Sequence, residues 1–309
     1  MGRLAQTLGL RIRTMSTAQE VPLENLRGRP LANVTCPYCG SSIDRSSRTK
    51  EHVIGRRFVP VGTLNNCWNL ILWACLRCNK VKSDLEDDIS AITMHFHTVG
   101  LSPMDDSIVQ MEAKRKGVNS FSRRTGKPVA ESAAKLNIHG KIGSYIEVNG
   151  LFTAPPQLDD QRSFELARLQ MIAFFYFLTY NKIKNVGHFW QEGFYPIQGA
   201  IKSDWGNPVH RAFMTEIVNW DYRLVLTTAS GYYRAIIRRH PSKDCWAWAV
   251  EWNDCYRLVG FFGDFSASKE IADRLPDLPV HSILESQNQW LRYRREEMLL
   301  DEDDILFNV

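Results

Sequence analysis

Four of the seven cysteines stand as two Cys-x-x-Cys pairs, Cys36-Pro37-Tyr38-Cys39 and Cys75-Leu76-Arg77-Cys78, about 35 residues apart. Each pair delivers two sulfurs from one tight turn, and two such knuckles close a tetrahedral four-thiolate site of the kind that holds Zn²⁺. Four thiolates fill the coordination sphere, so a zinc bound there is structural and activates no water. A unit this small draws much of its stability from the metal. Between the pairs lie Glu51-His52-Val53-Ile54 and Asn69-Leu70, and Asn79-Lys80 follows the second pair directly. A histidine can act as a base near neutral pH, but a lone Glu-His dipeptide is common. Its weight comes from its register with the knuckles.

In that register the block resembles the HNH endonuclease family: an acidic residue followed by His, a central Asn-Leu, and a final His or Asn directly after the second Cys-x-x-Cys. The resemblance spans residues 33–82 and implies a β-hairpin followed by a helix, with a catalytic divalent metal between them. By that resemblance Glu51 ligates the metal through its carboxylate and Asn79 through its amide oxygen. His52 is the general base that deprotonates the attacking water, and Asn69 holds the loop so that His52 points at the scissile phosphate. Phosphodiester hydrolysis needs such a base and a cation to neutralise charge on phosphorus and the leaving oxygen. A carboxylate and an amide suit Mg²⁺ or Mn²⁺. The implied substrate is nucleic acid, double-stranded DNA foremost, in a setting such as restriction or anti-phage defence. Many members have Pro where this chain has Gly55, and the last motif letter is Asn79 rather than His.

Arg48, Lys50, Arg56 and Arg57 flank Glu51-His52, and Arg77, Lys80 and Lys82 flank Asn79. They are expected to contact phosphates without reading sequence. The rival reading is a zinc ribbon that binds nucleic acid without cutting it; binding alone has no need of a base set between two kinds of metal ligand.

The elements that position these residues follow from patterning. Leu85, Ile89, Ile92 and Phe96 recur at helical spacing over Ser83–Val99, behind an acidic first turn of Asp84, Glu86, Asp87 and Asp88. Residues 31–100 are read as the nuclease module and 101–135 as a basic linker or loop. Residues 136–309 are read as a larger α+β domain. There, β-like runs cover Gly140–Phe152, and helices are expected over Arg162–Lys184 and Val209–Trp220. Tyr222–Thr227, Tyr232–Arg238, Trp246–Trp252 and Tyr256–Phe262 predict an antiparallel meander. Helix-like stretches at Ser268–Leu275 and Ser282–Leu300 close the chain. The fold class is therefore α+β. The larger domain is open to substrate selection, formation of a homodimer, or sensing of an activating ligand or partner. His95 and His97 are read as helix histidines rather than ligands. Trp246, Trp248 and Trp252 alternate along one strand face, as a core face in preference to a base-stacking platform.

A chain of 309 residues with 44% hydrophobic and 23% charged residues matches an ordinary globular protein of about two domains. The net charge of +4 permits nucleic-acid binding without arguing for it. No apolar run reaches the ~18 residues of a membrane span, and the protein is expected in the cytoplasm. Arg3, Arg11 and Arg13 precede any acidic residue, yet no apolar signal core accompanies them, so residues 1–30 are expected to be a disordered leader.

Overall fold

The computed structural model describes residues 30–99, 107–142, 146–189, 193–286 and 289–307. Strand β1, Arg48–His52, pairs antiparallel with β2, Ile71–Cys75, with Glu51 opposite Leu72 and His52 opposite Ile71. Helix α1, Leu76–His95, begins on the residue after β2. The helix therefore starts before Ser83, and the acidic run lies mid-helix instead of in its first turn. Its charge is met by side chains instead of the macrodipole: Lys82 on Glu86, Arg123 on Asp84 and Arg162 on Asp88.

The stretch expected to be a basic linker is folded. Helix α2, Ser107–Asn119, packs on α1, and a one-turn 3-10 helix follows at Val129–Glu131. Val109, Ala113 and Gly117 repeat every four residues and are buried, which gives a narrow stripe of small side chains on a helix that also buries Glu112 and Lys116. A Cβ on Gly117 would come within 3.3 Å of the Ala130 side chain, so this stripe sits against the 3-10 turn.

Strands β3, Ala134–Ile142, and β4, Ile146–Ala154, form an antiparallel hairpin. Helix α3, Asp160–Leu178, is capped by Asp159, whose carboxylate accepts the Arg162 N–H at 3.0 Å. Then come β5, Tyr195–Ile201; α4, Pro208–Ile217; β6, Asp221–Thr228; β7, Tyr233–Arg239; β8, Cys245–Trp252; and β9, Tyr256–Gly263. The last four form the expected meander. The structure adds β5 beside β9, so the sheet order is β5-β9-β8-β7-β6, antiparallel throughout. After α5, Phe265–Ala272, the expected helix over Ser282–Leu300 is replaced by a hairpin of β10, His281–Ser286, and β11, Gln289–Tyr293. Short apolar runs fit either period, and strand pairing decided here. The architecture is mixed α+β. Among the described residues no helix is long and apolar enough to cross a membrane.

One hydrophobic core runs from Cys36 to Phe262, joining the β1–β2–α1 unit to α3 and one face of the large sheet. Phe58 meets Trp252 edge-on at 5.4 Å, and Trp68 stacks on Phe174 at 6.2 Å. Thr228 Oγ1 donates to the Trp68 carbonyl at 2.7 Å, and the Thr35 and Tyr176 hydroxyls meet at 2.9 Å. Trp248 and Trp252 are fully buried and Trp246 stacks on Phe262, so the tryptophan face is core. Cys245 and Cys255 are buried free thiols, whereas Cys67 is exposed. His97 is buried and bonded through Nε2 to the Asn253 carbonyl at 2.7 Å. The other face of the sheet covers α4 and the C-terminal Leu306 and Phe307.

Because the core is shared, Trp252→Ala is expected to cost about 3–5 kcal/mol and to unfold both halves together. Urea denaturation followed by circular dichroism and by tryptophan fluorescence checks this. Two separated transitions, with only one of them moved, would show two independent cores instead.

Candidate active site

The first knuckle is closed by backbone bonds: Gly40 N–H donates to the Cys36 carbonyl at 2.9 Å, and Cys36 N–H to the Ser41 carbonyl at 2.8 Å. Gly40 takes φ +70°, a conformation glycine adopts without steric cost. In the second knuckle Cys75 ends β2 and Cys78 lies in the first turn of α1. All four sulfurs lie within 4.8 Å of one another, and the Cys39 and Cys75 sulfurs are 3.8 Å apart. Zn–S bonds of about 2.3 Å in a tetrahedron give sulfur separations of about 3.8 Å, so the cluster is compatible with a structural zinc. Burial pushes the Cys36 thiol up to about 11 and Cys78 further up.

Glu51, one residue from the end of β1, is buried at 4% exposure. Its Oε1 accepts the Tyr38 hydroxyl at 3.1 Å and lies 2.8 Å from Lys82 Nζ. Burial, and then the charge of Glu51, push the Tyr38 phenol well above its ordinary value, so it stays a donor. Lys82 is 1% exposed and does not face solvent as the expected phosphate contact must. Its ammonium reaches Glu51 Oε1, Glu86 Oε1 at 2.5 Å and the His52 carbonyl at 3.1 Å. Burial alone lowers a lysine, but the charges of Glu86 and Glu51 outweigh it and Lys82 is raised. Glu86 is itself raised, by burial first, against the pull of Lys82.

Glu86 also explains Gly55. The Gly55 N–H donates to Glu86 Oε1 at 3.0 Å, and a Cβ there would lie 2.4 Å from Glu86 Oε2. Proline has no N–H to donate and carries the Cβ that the carboxylate excludes.

The His52 ring is half-buried, and its Nε2 is a buried atom with no hydrogen-bond partner among the described residues. Burial, then the charges of Arg56, Lys50 and Lys82, bring the imidazole down to about 4. Asn69 clamps the chain just beyond: its Oδ1 accepts the Ile54 N–H at 3.2 Å and its Nδ2 donates to the Ile54 carbonyl at 2.7 Å. Asn79, one position after Cys78, bridges helix to strand through Nδ2 to Thr49 Oγ1 at 3.3 Å.

Glu51, His52 and Asn79 line one cleft of about 900 Å³. Lys50, Arg56, Arg57 and Lys80 line it as well, are exposed, and form no ion pair among the described residues. Arg48 instead lies over the Trp73 ring, 4.1 Å from its centre, and Arg77 is exposed outside the lining. The opposite wall comes from the stretch that reads as a linker: Arg115, Lys116, Asn119, Ser120 and Arg123. Its cations are engaged: Arg115 by Glu112, Arg123 by Asp84 and Asp87, and Lys116 by the Arg57 carbonyl and Ser90 Oγ. Burial brings Lys116 down to about 8. Sequence reading missed Glu86 and Tyr38, and read this wall as a basic loop, either suited to phosphate contacts or a solvated connector. The one available signal was Glu86 standing four residues after Lys82, a spacing that shares a helix face.

Gly55→Ala is expected to destabilise the fold by about 1–3 kcal/mol, the usual range for overpacking. In a Glu86→Ala background the cost should shrink markedly. Denaturant midpoints of the four proteins check this, and an equal cost in both backgrounds would clear Glu86 as the obstacle.

Comparison of the chain with models of protein families, with curated proteins and with solved structures returns no match in any of the three.

Proposed function

We propose that the protein is an HNH-type, metal-dependent endonuclease that hydrolyses phosphodiester bonds in DNA. The observation that carries the reading is the geometry at His52: a half-buried imidazole whose Nε2 has no partner among the described residues, next to the Glu51 carboxylate and sharing one cleft with the Asn79 amide and with cations that form no ion pair among the described residues. The β1–β2–α1 arrangement, with a four-cysteine cluster where strand meets helix, supports the same reading.

In this mechanism His52 takes a proton from the attacking water, and the Asn69 clamp on Ile54 fixes the direction in which the ring points. Lys50, Arg56, Arg57 and Lys80 hold the flanking phosphates, a set of contacts that positions the strand without specifying bases. The Glu51 carboxylate and the Asn79 amide are the hard oxygen donors suited to Mg²⁺ or Mn²⁺. Such an ion, when bound, neutralises charge on the phosphoryl group and the leaving oxygen. Zinc in the four-cysteine cluster would hold the strand–helix junction. A purely DNA-binding ribbon gives no reason to desolvate a histidine at the floor of the groove.

Purified protein is expected to cleave plasmid DNA when Mg²⁺ or Mn²⁺ is added and to stop with EDTA. His52→Ala should lower the rate about 10²–10⁴-fold without loss of zinc or fold. If wild type and variant are equally inert while zinc-loaded and DNA-bound, the binding-only reading replaces this one. Separately, zinc analysis should find one ion per chain. Cys36→Ser should lower that content and the melting temperature together; unchanged zinc would remove the metal from the cluster.

A further inference from the structure

We propose that Lys82 and Glu86 are positioning residues of this site. Lys82 pins the Glu51-His52 dipeptide, and Glu86 supplies the negative charge that leaves Glu51 able to bind a divalent cation. The inference rests on the nuclease reading for what the cation does, and stands apart from it on whether the cation binds.

The Lys82 ammonium donates to the His52 carbonyl and the Glu86 carboxylate and forms an ion pair with the Glu51 carboxylate at 2.8 Å. It thus holds the proposed ligand by its side chain and the proposed base by its backbone. Adjacent bonds continue the hold along the chain. Val53 N–H donates to the Leu70 carbonyl at 2.9 Å, Asn69 takes both polar groups of Ile54, and Glu86 takes the Gly55 N–H. Every residue from Glu51 to Gly55 is tied by at least one hydrogen bond to β2, to the segment before it, or to α1.

Charge gives Glu86 its second task. Glu51 with Lys82 alone is a neutral pair, which offers a cation no net attraction. Of the other charges lining the cleft, Asp84 and Asp87 are paired with Arg123, while Lys50, Arg56, Arg57 and Lys80 would repel it. A second buried carboxylate on Lys82 returns the trio to one net negative charge. Tyr38 and Lys82 both address Oε1 of Glu51, so neither of them uses the second oxygen. A structural ion-pair cluster explains the burial less well, because buried ion pairs seldom add net stability over apolar side chains of similar volume.

The test uses the full-length, zinc-loaded protein and Mn²⁺ as the probe, with binding followed by electron paramagnetic resonance. Glu86→Gln keeps the shape and the acceptor for Gly55 N–H and removes only the charge. It should retain zinc and the wild-type circular dichroism while Mn²⁺ affinity falls about 10–100-fold, the range for supporting residues around a metal. Asp84→Asn removes the same charge from an exposed position on the same cleft and should change affinity far less. Glu51→Gln should abolish binding, which locates the ion. Lys82→Met, with zinc and fold retained, should lower kcat at saturating Mn²⁺ and leave KM for DNA near wild type.

Unchanged affinity in Glu86→Gln, equal losses in Glu86→Gln and Asp84→Asn, or no Mn²⁺ binding by wild type would each overturn the proposal. If Glu86→Gln loses zinc, Glu86→Asp, which keeps the charge, decides: near-wild-type affinity supports the charge role and a loss overturns it. Mn²⁺ binding of the expected pattern in a protein that cuts no nucleic acid would sink the nuclease reading alone.

Discussion

Strand β2 runs into helix α1 with no residue between them, and the rest of the site depends on that junction. A strand and a helix joined without a linker behave as one bent rod. On this rod sit Cys75 and Cys78 of the four-cysteine cluster, then Asn79, Lys82 and Glu86 at helical intervals. The antiparallel pairing of β1 on β2 then fixes Glu51 and His52 against the same rod. Moving the junction by one residue would rotate Asn79, Lys82 and Glu86 about 100° around the helix and away from β1. The cysteine cluster stands where it can hold the register: two of its sulfurs come from the junction and two from the turn ahead of β1.

The rod is anchored from the other side by the large sheet. The β8–β9 turn places Asn253, at φ +55°, so that its Nδ2 donates to Thr93 Oγ1 at 2.8 Å and to the Phe58 carbonyl at 3.2 Å. Ser90 donates to the same carbonyl at 2.6 Å, and Lys116 of α2 to that of Arg57. Three elements therefore converge on the backbone that presents Arg56 and Arg57 at the mouth of the cleft. A surface loop bearing two arginines would ordinarily sample many positions. Here its carbonyls are satisfied from inside the fold.

What could be read from the sequence follows what local pattern encodes. Cysteine spacing announces a knuckle whatever surrounds it, and the Val-, Ile-, Tyr- and Trp-rich runs of β6 to β9 with turn residues between them point to a meander. The acidic run at Asp84–Asp88 was misleading because it imitates a helix start, while the true start is set by β2 ending at Cys75. Helix α2 was hidden because its buried stripe is Val109, Ala113 and Gly117, small residues outnumbered by charges. Lys82 reads as an exposed cation in any sequence. Only the tertiary fold, which brings Glu51 across from β1, makes its burial favourable. Strand β5 owes its form to a pairing partner, β9, that no local window contains.

The distribution of charge around the cleft shows how one chain can be acidic at the floor and basic at the rim. Asp84, Asp87 and Asp88 are spent on Arg123 and Arg162, pairs that tie α1 to the segment after α2 and to α3. Those contacts lie on partly exposed surface, where each ion pair contributes little to stability, and their larger effect is to take acidic charge away from the mouth. Glu51 and Glu86 remain below, shielded from solvent and joined through Lys82. Lys50, Arg56, Arg57 and Lys80 remain above, free of partners among the described residues. In the proposed nuclease a polyanion would meet these cations first, and the carboxylates beneath would be left to a small divalent ion.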